Sequence, residues 1–329
     1  MGHRKYSAPR RGSLAFLPRG RASRLLPRVK HWPRRLDGAA LPMGFVGYKA
    51  GTTSVHYIDN TPNSPTMGAE VNKVATVLAV PPLRVVGATL YEKVDGRLRD
   101  MLKIWSSNLP EDVKRRVKRL RPNEEEARKR LEQLKNRVAE VRLIVATDTK
   151  AVGAGKKPHI LEIKVDGEPG KSLEYALSKL GQELRISEVF KEGDYVDVIA
   201  VTKGKGFEGV VKRHGVAKLQ HKSRKTVRGV GAIGGRSPAY VTYYVPRSGQ
   251  LGYHRRTEFN RRVLIISQNG DELTPRSGWH RFGVIKTDAV VLEGTVQGPP
   301  KRPVVLRTPA KPPTQVEKPE ITTVEVKTR

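Results

Sequence analysis

Apolar and polar positions divide the chain into stretches of period two and stretches of helical period. Between residues 38 and 105 the apolar runs are short, β-branched and bounded by Gly, Asn and Pro. They are Gly44-Phe45-Val46-Gly47-Tyr48, then Ser54-Val55-His56-Tyr57-Ile58-Asp59, then 71–80 and 83–92. Such runs predict strands. The pattern changes after 105. Pro110-Glu111-Asp112 opens a helix that Pro122 stops, and Asn123 is placed to cap a second, with Glu126 completing a capping box. Ala127, Leu131, Leu134, Val138 and Val141 step by fours and threes into one buried stripe. A strand follows at 142–147, then a shorter helix at 172–180 that Gly181 ends. Strands resume at 195–201, 262–266 and 289–292.

This order predicts a mainly β protein with an α/β insertion. The β body is expected from 38–105, 184–209 and 263–300, with the nearly charge-balanced block 106–183 inserted between its parts. A barrel is the preferred closure because it leaves no free edge. The last 32 residues contain seven Pro. Segment 301–329 therefore reads as an extended strap, with 322–327 able to add an edge strand.

Charge changes this picture. Lys and Arg number 63 against 32 Asp and Glu, a formal net charge of +31 over 329 residues. Residues 1–36 hold eleven cations and no acid, and 212–262 hold thirteen with Glu258 as the lone acid. Twenty-three of the net charges thus sit on 87 residues. Like charges repel across a compact globule, and nucleic acid is the usual compensating partner. The 1–37 extension, broken by Pro9, Pro18, Pro27 and Pro33, is expected to be extended and to reach about 120 Å at most. Segment 210–262 reads as a hairpin-like arm projecting on the order of 80 Å. Its glycines permit close backbone approach, and Tyr240, Tyr243, Tyr244 and Tyr253 offer rings that stack on bases.

Other chemistries fare poorly. Without Cys there is neither a disulfide nor a thiolate metal site, and the eight His show no ligand spacing. No signal-peptide or membrane-length apolar run occurs, so the chain reads as cytoplasmic. Gly204-Lys205-Gly206-Phe207-Glu208-Gly209 spells G-x-G-x-x-G after a strand, but no acid follows until Glu258. A dinucleotide site needs one about twenty residues on, so the motif reads as a glycine-rich bend opening the arm. Gly170-Lys171-Ser172 lacks the earlier glycine of a phosphate loop, Val165 standing there. Trp32, Trp105 and Trp279 read as packing anchors, Trp32 alone lying in the basic tail.

Phe190, Asp197, Ala200, Thr202, Gly204-Lys205-Gly206, Gly209 and Arg213 fall at the spacing of a known signature. The likeness extends to His3-Arg4-Lys5, Pro9 to Leu14, Pro18-Arg19, Gly44 to Gly51, Gly249 to Asn260, and Gly298-Pro299-Pro300-Lys301-Arg302. Over almost its whole length the chain resembles the universal large-subunit ribosomal protein three family, in its archaeal and eukaryotic branch. The resemblance implies a six-stranded β-barrel of translation-protein type, an α/β insertion, and two extensions entering large-subunit rRNA. It also implies a role early in subunit assembly and an arm tip near the peptidyl-transferase centre. That tip would be Gly234, Gly235, Arg236 and Ser237. Relatives usually carry Trp where this chain has Arg236, so a guanidinium replaces a stacking ring there.

The expected function is structural rRNA binding without catalysis. Expected contacts in the tail are Arg4, Lys5, Arg10, Arg11, Arg19, Arg21, Arg24, Arg28 and Lys30. Along the arm they are Lys205, Lys212, Arg213, Lys218, His221, Lys222, Arg224, Lys225, Arg228 and Arg247. Tyr253, His254, Arg255, Arg256, Arg261 and Arg262 complete the set. Expected partners are large-subunit rRNA and neighbouring ribosomal proteins, with no membrane and no homo-oligomer. No metal or cofactor site is expected in the chain, while structural Mg2+ at the RNA interface stays open. On the residues alone, an architectural DNA-binding protein and a nucleotide-dependent RNA-modifying enzyme stay open as well.

Overall fold

The computed structural model describes residues 9–34, 38–118, 122–313 and 318–325. β1 (Gly44–Ile58) and β2 (Glu70–Ala79) pair antiparallel. The two runs expected at 44–48 and 54–59 are one continuous strand, with a register shift between Lys49 and Gly51. A Cβ on Gly51 would stand 2.1 Å from the Trp279 ring, so only glycine lets the indole lie there. Trp279 donates its indole N–H to the Leu273 carbonyl at 3.1 Å. It is a packing anchor, as its sequence context suggested.

Pro81 and Pro82 follow β2. Neither can donate to a ladder, and the chain crosses to a second sheet. There β3 (Leu83–Val94) pairs with β4 (Arg97–Trp105) on one side and β5 (Glu140–Thr147) on the other. β6 (Ile160–Val165) extends the sheet from β5, and the two-residue β7 (Glu183–Leu184) joins the start of β3. This corrects the expectation that 83–105 belong with β1 and β2: they are the middle and one edge of the five-stranded sheet. Helices α1 (Glu111–Arg116), α2 (Glu124–Leu134) and α3 (Pro169–Ser178) lie between these strands in the chain, α2 packing on β4 and α3 on β5.

The cap expected at Asn123 is not made. Asn123 Oδ1 accepts the Trp105 N–H at 2.8 Å, and its Nδ2 donates to the Lys103 carbonyl at 3.0 Å. The amide is committed to the end of β4 and leaves the helix N–H groups alone. Ala127, Leu131, Val138 and Val141 are buried as expected, although α2 stops at Leu134 and Val141 already belongs to β5. Ser172 Oγ donates to the Asp166 and Glu168 carbonyls, both at 2.9 Å, which fixes the start of α3 and excludes a phosphate-loop role.

The larger sheet is built from β8 (Tyr195–Val201), β11 (Arg255–Ser267), β12 (Ala289–Glu293), β13 (Pro303–Arg307) and β14 (Glu320–Glu325), together with β1 and β2. Neighbours run β13-β8-β11-β12-β2-β1-β14, and β1 also pairs with β13, Gly44 opposite Arg307 and Tyr48 opposite Pro303. The short strands β9 (Gly204–Glu208) and β10 (Gly249–Gly252) pair apart from it. Strand β13 corrects the strap expected at 301–329. Its Val304, Val305 and Leu306 are fully buried, and Pro303 occupies the first strand residue, where a missing donor is tolerated. Of the edge strand expected at 322–327, residues 322–325 lie in β14, and 326 and 327 lie outside the described residues.

The chain divides into two compact units, Met1–Ser23 with Val201–Arg255, and Arg24–Ala200 with Arg256–Arg329. The second unit holds both larger sheets and all the apolar clusters of the described residues. It also takes in 24–34, expected from its composition to be part of an extended tail. Leu26, Val29 and Trp32 are buried there, each apolar side chain contributing about 1.5–3 kcal/mol by leaving water. Likewise 256–262, expected in the arm, lies in β11. A buried ion pair ties this unit together. Asp197 Oδ2 accepts from Arg307 Nη2 at 2.5 Å and from the Ala310 N–H at 2.9 Å, while Oδ1 accepts the Asn260 N–H at 3.1 Å. Arg307 Nη1 reaches back to the His31 carbonyl at 2.7 Å.

Candidate nucleic-acid interface

The first unit carries eighteen Lys and Arg against Glu208 as its one acid, a net +17 of the chain's +31. Among its described residues no apolar cluster forms. Its order comes from backbone pairing and from cations pinned by carbonyl oxygens. β9 and β10 are antiparallel, Glu208 opposite Gly249 and Gly204 opposite Gly252. At Gly252, φ is +71° and a Cβ would come within 2.0 Å of the Lys203 carbonyl, so the turn requires glycine. Tyr253 follows at φ +54°, donates its N–H to Lys203 O at 3.2 Å and accepts the Ala22 N–H at 2.8 Å.

The G-x-G-x-x-G segment is therefore β9, not a free bend. The helix that follows, α4 (Val210–His214), is a five-residue turn with Lys212, Arg213 and His214 at its end. It lacks the length and the acid of a dinucleotide site.

Several expected contacts serve the unit's own frame. His254 is buried; its Nε2 accepts the Gly252 N–H at 3.0 Å and its Nδ1 donates to the Gly20 carbonyl at 2.9 Å. Both ring nitrogens are occupied, so the expectation of an RNA contact at His254 is corrected to a strut. Arg213 Nε donates to Gln250 O and Nη1 to Arg247 O, each at 3.0 Å, stapling α4 to the returning limb. Arg19 Nη1 donates to Arg213 O at 2.7 Å, and Arg10 Nη2 to Tyr244 O at 2.5 Å. Burial, then the neighbouring Arg19 charge, lowers the Arg213 pKa from its usual range. Burial first, then Arg19 and Arg213, likewise lowers His214, which is neutral at pH 7. The Arg11 backbone opposes that shift, yet neither buried ring nitrogen of His214 closes a hydrogen bond of good geometry.

Most of the expected contacts in this unit face solvent. Arg10, Arg11 and Arg21 are exposed in the incoming segment, as are Lys205, Lys212, Lys218, His221 and Lys222 further on. So are Arg224, Lys225, Arg228 and Arg247, and the tip residues Gly234, Gly235, Arg236 and Ser237. Arg19, Arg213, Tyr253 and Arg255 are half-buried. Arg4 and Lys5 lie outside the described residues. Of the rings singled out for stacking, Tyr240 is 71% exposed and Tyr243 79%, too open for packing; Phe207, which sequence reasoning did not single out, is 78% exposed.

In the second unit Arg24, Arg28 and Lys30 are exposed, while Arg256 and Arg261 are half-buried. Arg261 is paired with Glu258 at 3.0 Å. Arg262 is buried, donates to Asn60 Oδ1 at 2.9 Å and stands 6.0 Å from the Tyr57 ring centre. Its expected RNA contact is corrected to an internal one. Among the described residues, no group of three or more His, Asp or Glu could hold a metal ion, and no helix is long and apolar enough to cross a membrane.

A family model described as ribosomal protein L3 matches residues 1–327. This chain belongs to the ribosomal protein L3 family. It is 44% identical to the large ribosomal subunit protein uL3 of Aeropyrum pernix over 99% of this chain and 98% of that one. The uL3 proteins of Archaeoglobus fulgidus and Methanocaldococcus jannaschii are each 43% identical, covering 94% and 95% of both chains respectively. Membership agrees with the resemblance carried by the Phe190 to Arg213 motif. The structure gives two motif positions physical roles: Asp197 holds Arg307, and Arg213 staples the base of the arm.

Proposed function

We propose that this chain is a structural constituent of the large ribosomal subunit that binds large-subunit rRNA, assists early assembly and has no catalysis of its own. The observation that carries this reading is the first unit, with eighteen cations, one acid and no apolar cluster among its described residues. Such a segment gains its interior from a polyanion: phosphates neutralise the cations while exposed rings stack on unpaired bases. The second unit is the scaffold. Its ladder β1-β13-β8-β11-β12-β2 with the return to β1 supports a six-stranded barrel of translation-protein type. Residues 234–237 form the exposed tip, aimed in this reading at the peptidyl-transferase centre. The unit's own residues provide the cations, and Mg2+ at such an interface is held by RNA phosphates. Partners are the rRNA and neighbouring subunit proteins.

The test is chemical footprinting of large-subunit rRNA with and without the full chain, alongside competition by duplex DNA at matched salt. Protection confined to defined rRNA segments, resistant to excess DNA, is expected. Equal displacement by DNA would favour an architectural DNA-binding protein.

A further inference from the structure

Within the first unit, the incoming segment around Arg10 to Arg19 and the returning limb from Val241 to Arg247 enclose a groove of about 550 Å3. That volume is in the range that seats a small ligand. Leu17, Pro18, Val241 and Val245 give its lining an apolar part, and Tyr243, 79% exposed, also lines it, its ring set edge-on to Tyr244 at 5.9 Å. His214 lines it too, with two buried nitrogens that lack well-formed partners. Arg10, Arg19, Arg213 and Arg247 also line it, and no lining residue is acidic. Three of these guanidinium groups are fixed by backbone carbonyls, which orient them without neutralising their charge. Each keeps donors beyond those bonds, since a guanidinium has five. The result is a ring-lined slot surrounded by oriented, uncompensated positive charge.

We propose that this groove seats a single unstacked nucleotide of the large-subunit RNA, its base against Tyr243 and His214 and its phosphate among Arg10, Arg19, Arg213 and Arg247. The assignment rests on the rRNA-binding reading and adds a defined pocket to it. The apolar lining alone would suit many ligands; the arginines without any carboxylate select an anion, and the ring selects a planar group. The neutral state of His214 suits it to hydrogen-bond a base edge. Anion binding would also relieve the repulsion that Arg19 exerts on Arg213 and His214.

The test uses the full chain with large-subunit rRNA, comparing Tyr243→Ala, Tyr243→Phe and Arg247→Gln by equilibrium binding, with ultraviolet crosslinking and mass spectrometry of the adducts. Expected are a mononucleotide adduct on the 241–247 peptide, an affinity loss of about 5- to 100-fold for Tyr243→Ala, and near-complete rescue in Tyr243→Phe. Both side chains are exposed, and an unchanged circular dichroism melt verifies folding. If rRNA binding persists through adducts on 217–237 while Tyr243→Ala binds like the parent, the pocket is refuted and the rRNA reading stands. Absence of any rRNA binding by the parent chain overturns both. Saturable binding of free adenosine or uridine monophosphate tighter than of the RNA reassigns the groove to a free nucleotide. Displacement of the RNA by polyglutamate at equal charge, lost in Tyr243→Ala, reassigns it to an acidic peptide.

Discussion

Asp197→Ala removes the acid of the most buried ion pair among the described residues of the second unit. The Asp197 side chain is 0% exposed and that of Arg307 7% exposed, and the two are cross-strand partners in β8 and β13. Removing the carboxylate strands a buried guanidinium, which costs about 3–5 kcal/mol. The Asn260 and Ala310 N–H groups lose their acceptor at the same time, each worth about 1–3 kcal/mol if water cannot replace it. These losses overlap, so the expected total is about 3–5 kcal/mol. For a unit of this size it corresponds to a fall of about 6–20 °C in melting temperature. Guanidinium titration of the full chain, followed by far-ultraviolet circular dichroism, measures it. The double variant Asp197→Ala/Arg307→Met should recover most of the loss, because an apolar replacement of a buried pair is often near neutral. A loss under about 1 kcal/mol, or a double variant no more stable than the single, would falsify the claim that the pair is a buried hub.

Four further outcomes follow from other residues. Deleting 217–245, which spares β9, β10 and the Arg213 staple, should leave the unfolding midpoint unchanged while subunit assembly fails; normal subunits would refute the role given to the arm. His254→Ala should loosen the base of the arm by about 1–3 kcal/mol, seen as faster amide exchange at Gly252 and Ala22, whereas an RNA-contacting histidine would leave exchange in the free protein unchanged. His159 has its pKa lowered mainly by burial, then by Arg116, and its ring lies 6.1 Å from that of Tyr48. The unfolded chain therefore binds the extra proton first, so stability present at pH 7 should fall as pH drops below about 6.5; His159→Gln should flatten that decline, and an identical pH profile would refute it. Replacing Lys222, Arg224 and Lys225 by Ala should lower the log–log salt slope of rRNA binding by roughly 1 for each phosphate these cations neutralise, and an unchanged slope would remove them from the interface.

Strand positions were legible where alternation and β-branched runs were long, as in β1, β2 and β8. Which sheet each strand joins was not, because period two reports burial of a face and says nothing of the neighbour. The Pro81-Pro82 step was the available clue, and it marks where β3 leaves for the second sheet. β13 was hidden by its context: five residues of buried strand sit in a Pro-rich tail whose composition reads as unstructured. The Asn123 cap failed for a similar reason, since a side chain with both donor and acceptor is open to a tertiary competitor that local sequence does not reveal. At the candidate interface, the basic segments read from sequence overlap the first unit but overrun it, since 24–34 and 256–262 belong to the second. Sequence could not separate arginines facing solvent from those spent on carbonyls, because both kinds occur in the same Gly- and Pro-rich stretches.

That separation explains how one chain tolerates its excess charge. In the second unit, cations meet acids: Arg142 with Glu140 at 2.6 Å, Arg137 with Glu92 at 2.6 Å, Arg307 with Asp197. In the first unit Glu208 is the sole acid, and it is paired with Lys212 at 3.0 Å. Its remaining cations cannot be neutralised from within the unit, so Arg10, Arg19 and Arg213 are held by neutral oxygens that fix direction and leave charge intact. Orientation before binding lowers the entropy lost when phosphates arrive. A protein whose stability depended on those charges being quenched internally would need carboxylates beside them. In the reading proposed above the missing counter-charge lies on the rRNA, and the exposed rings beside the arginines suit a partner that offers planar bases as well as phosphates.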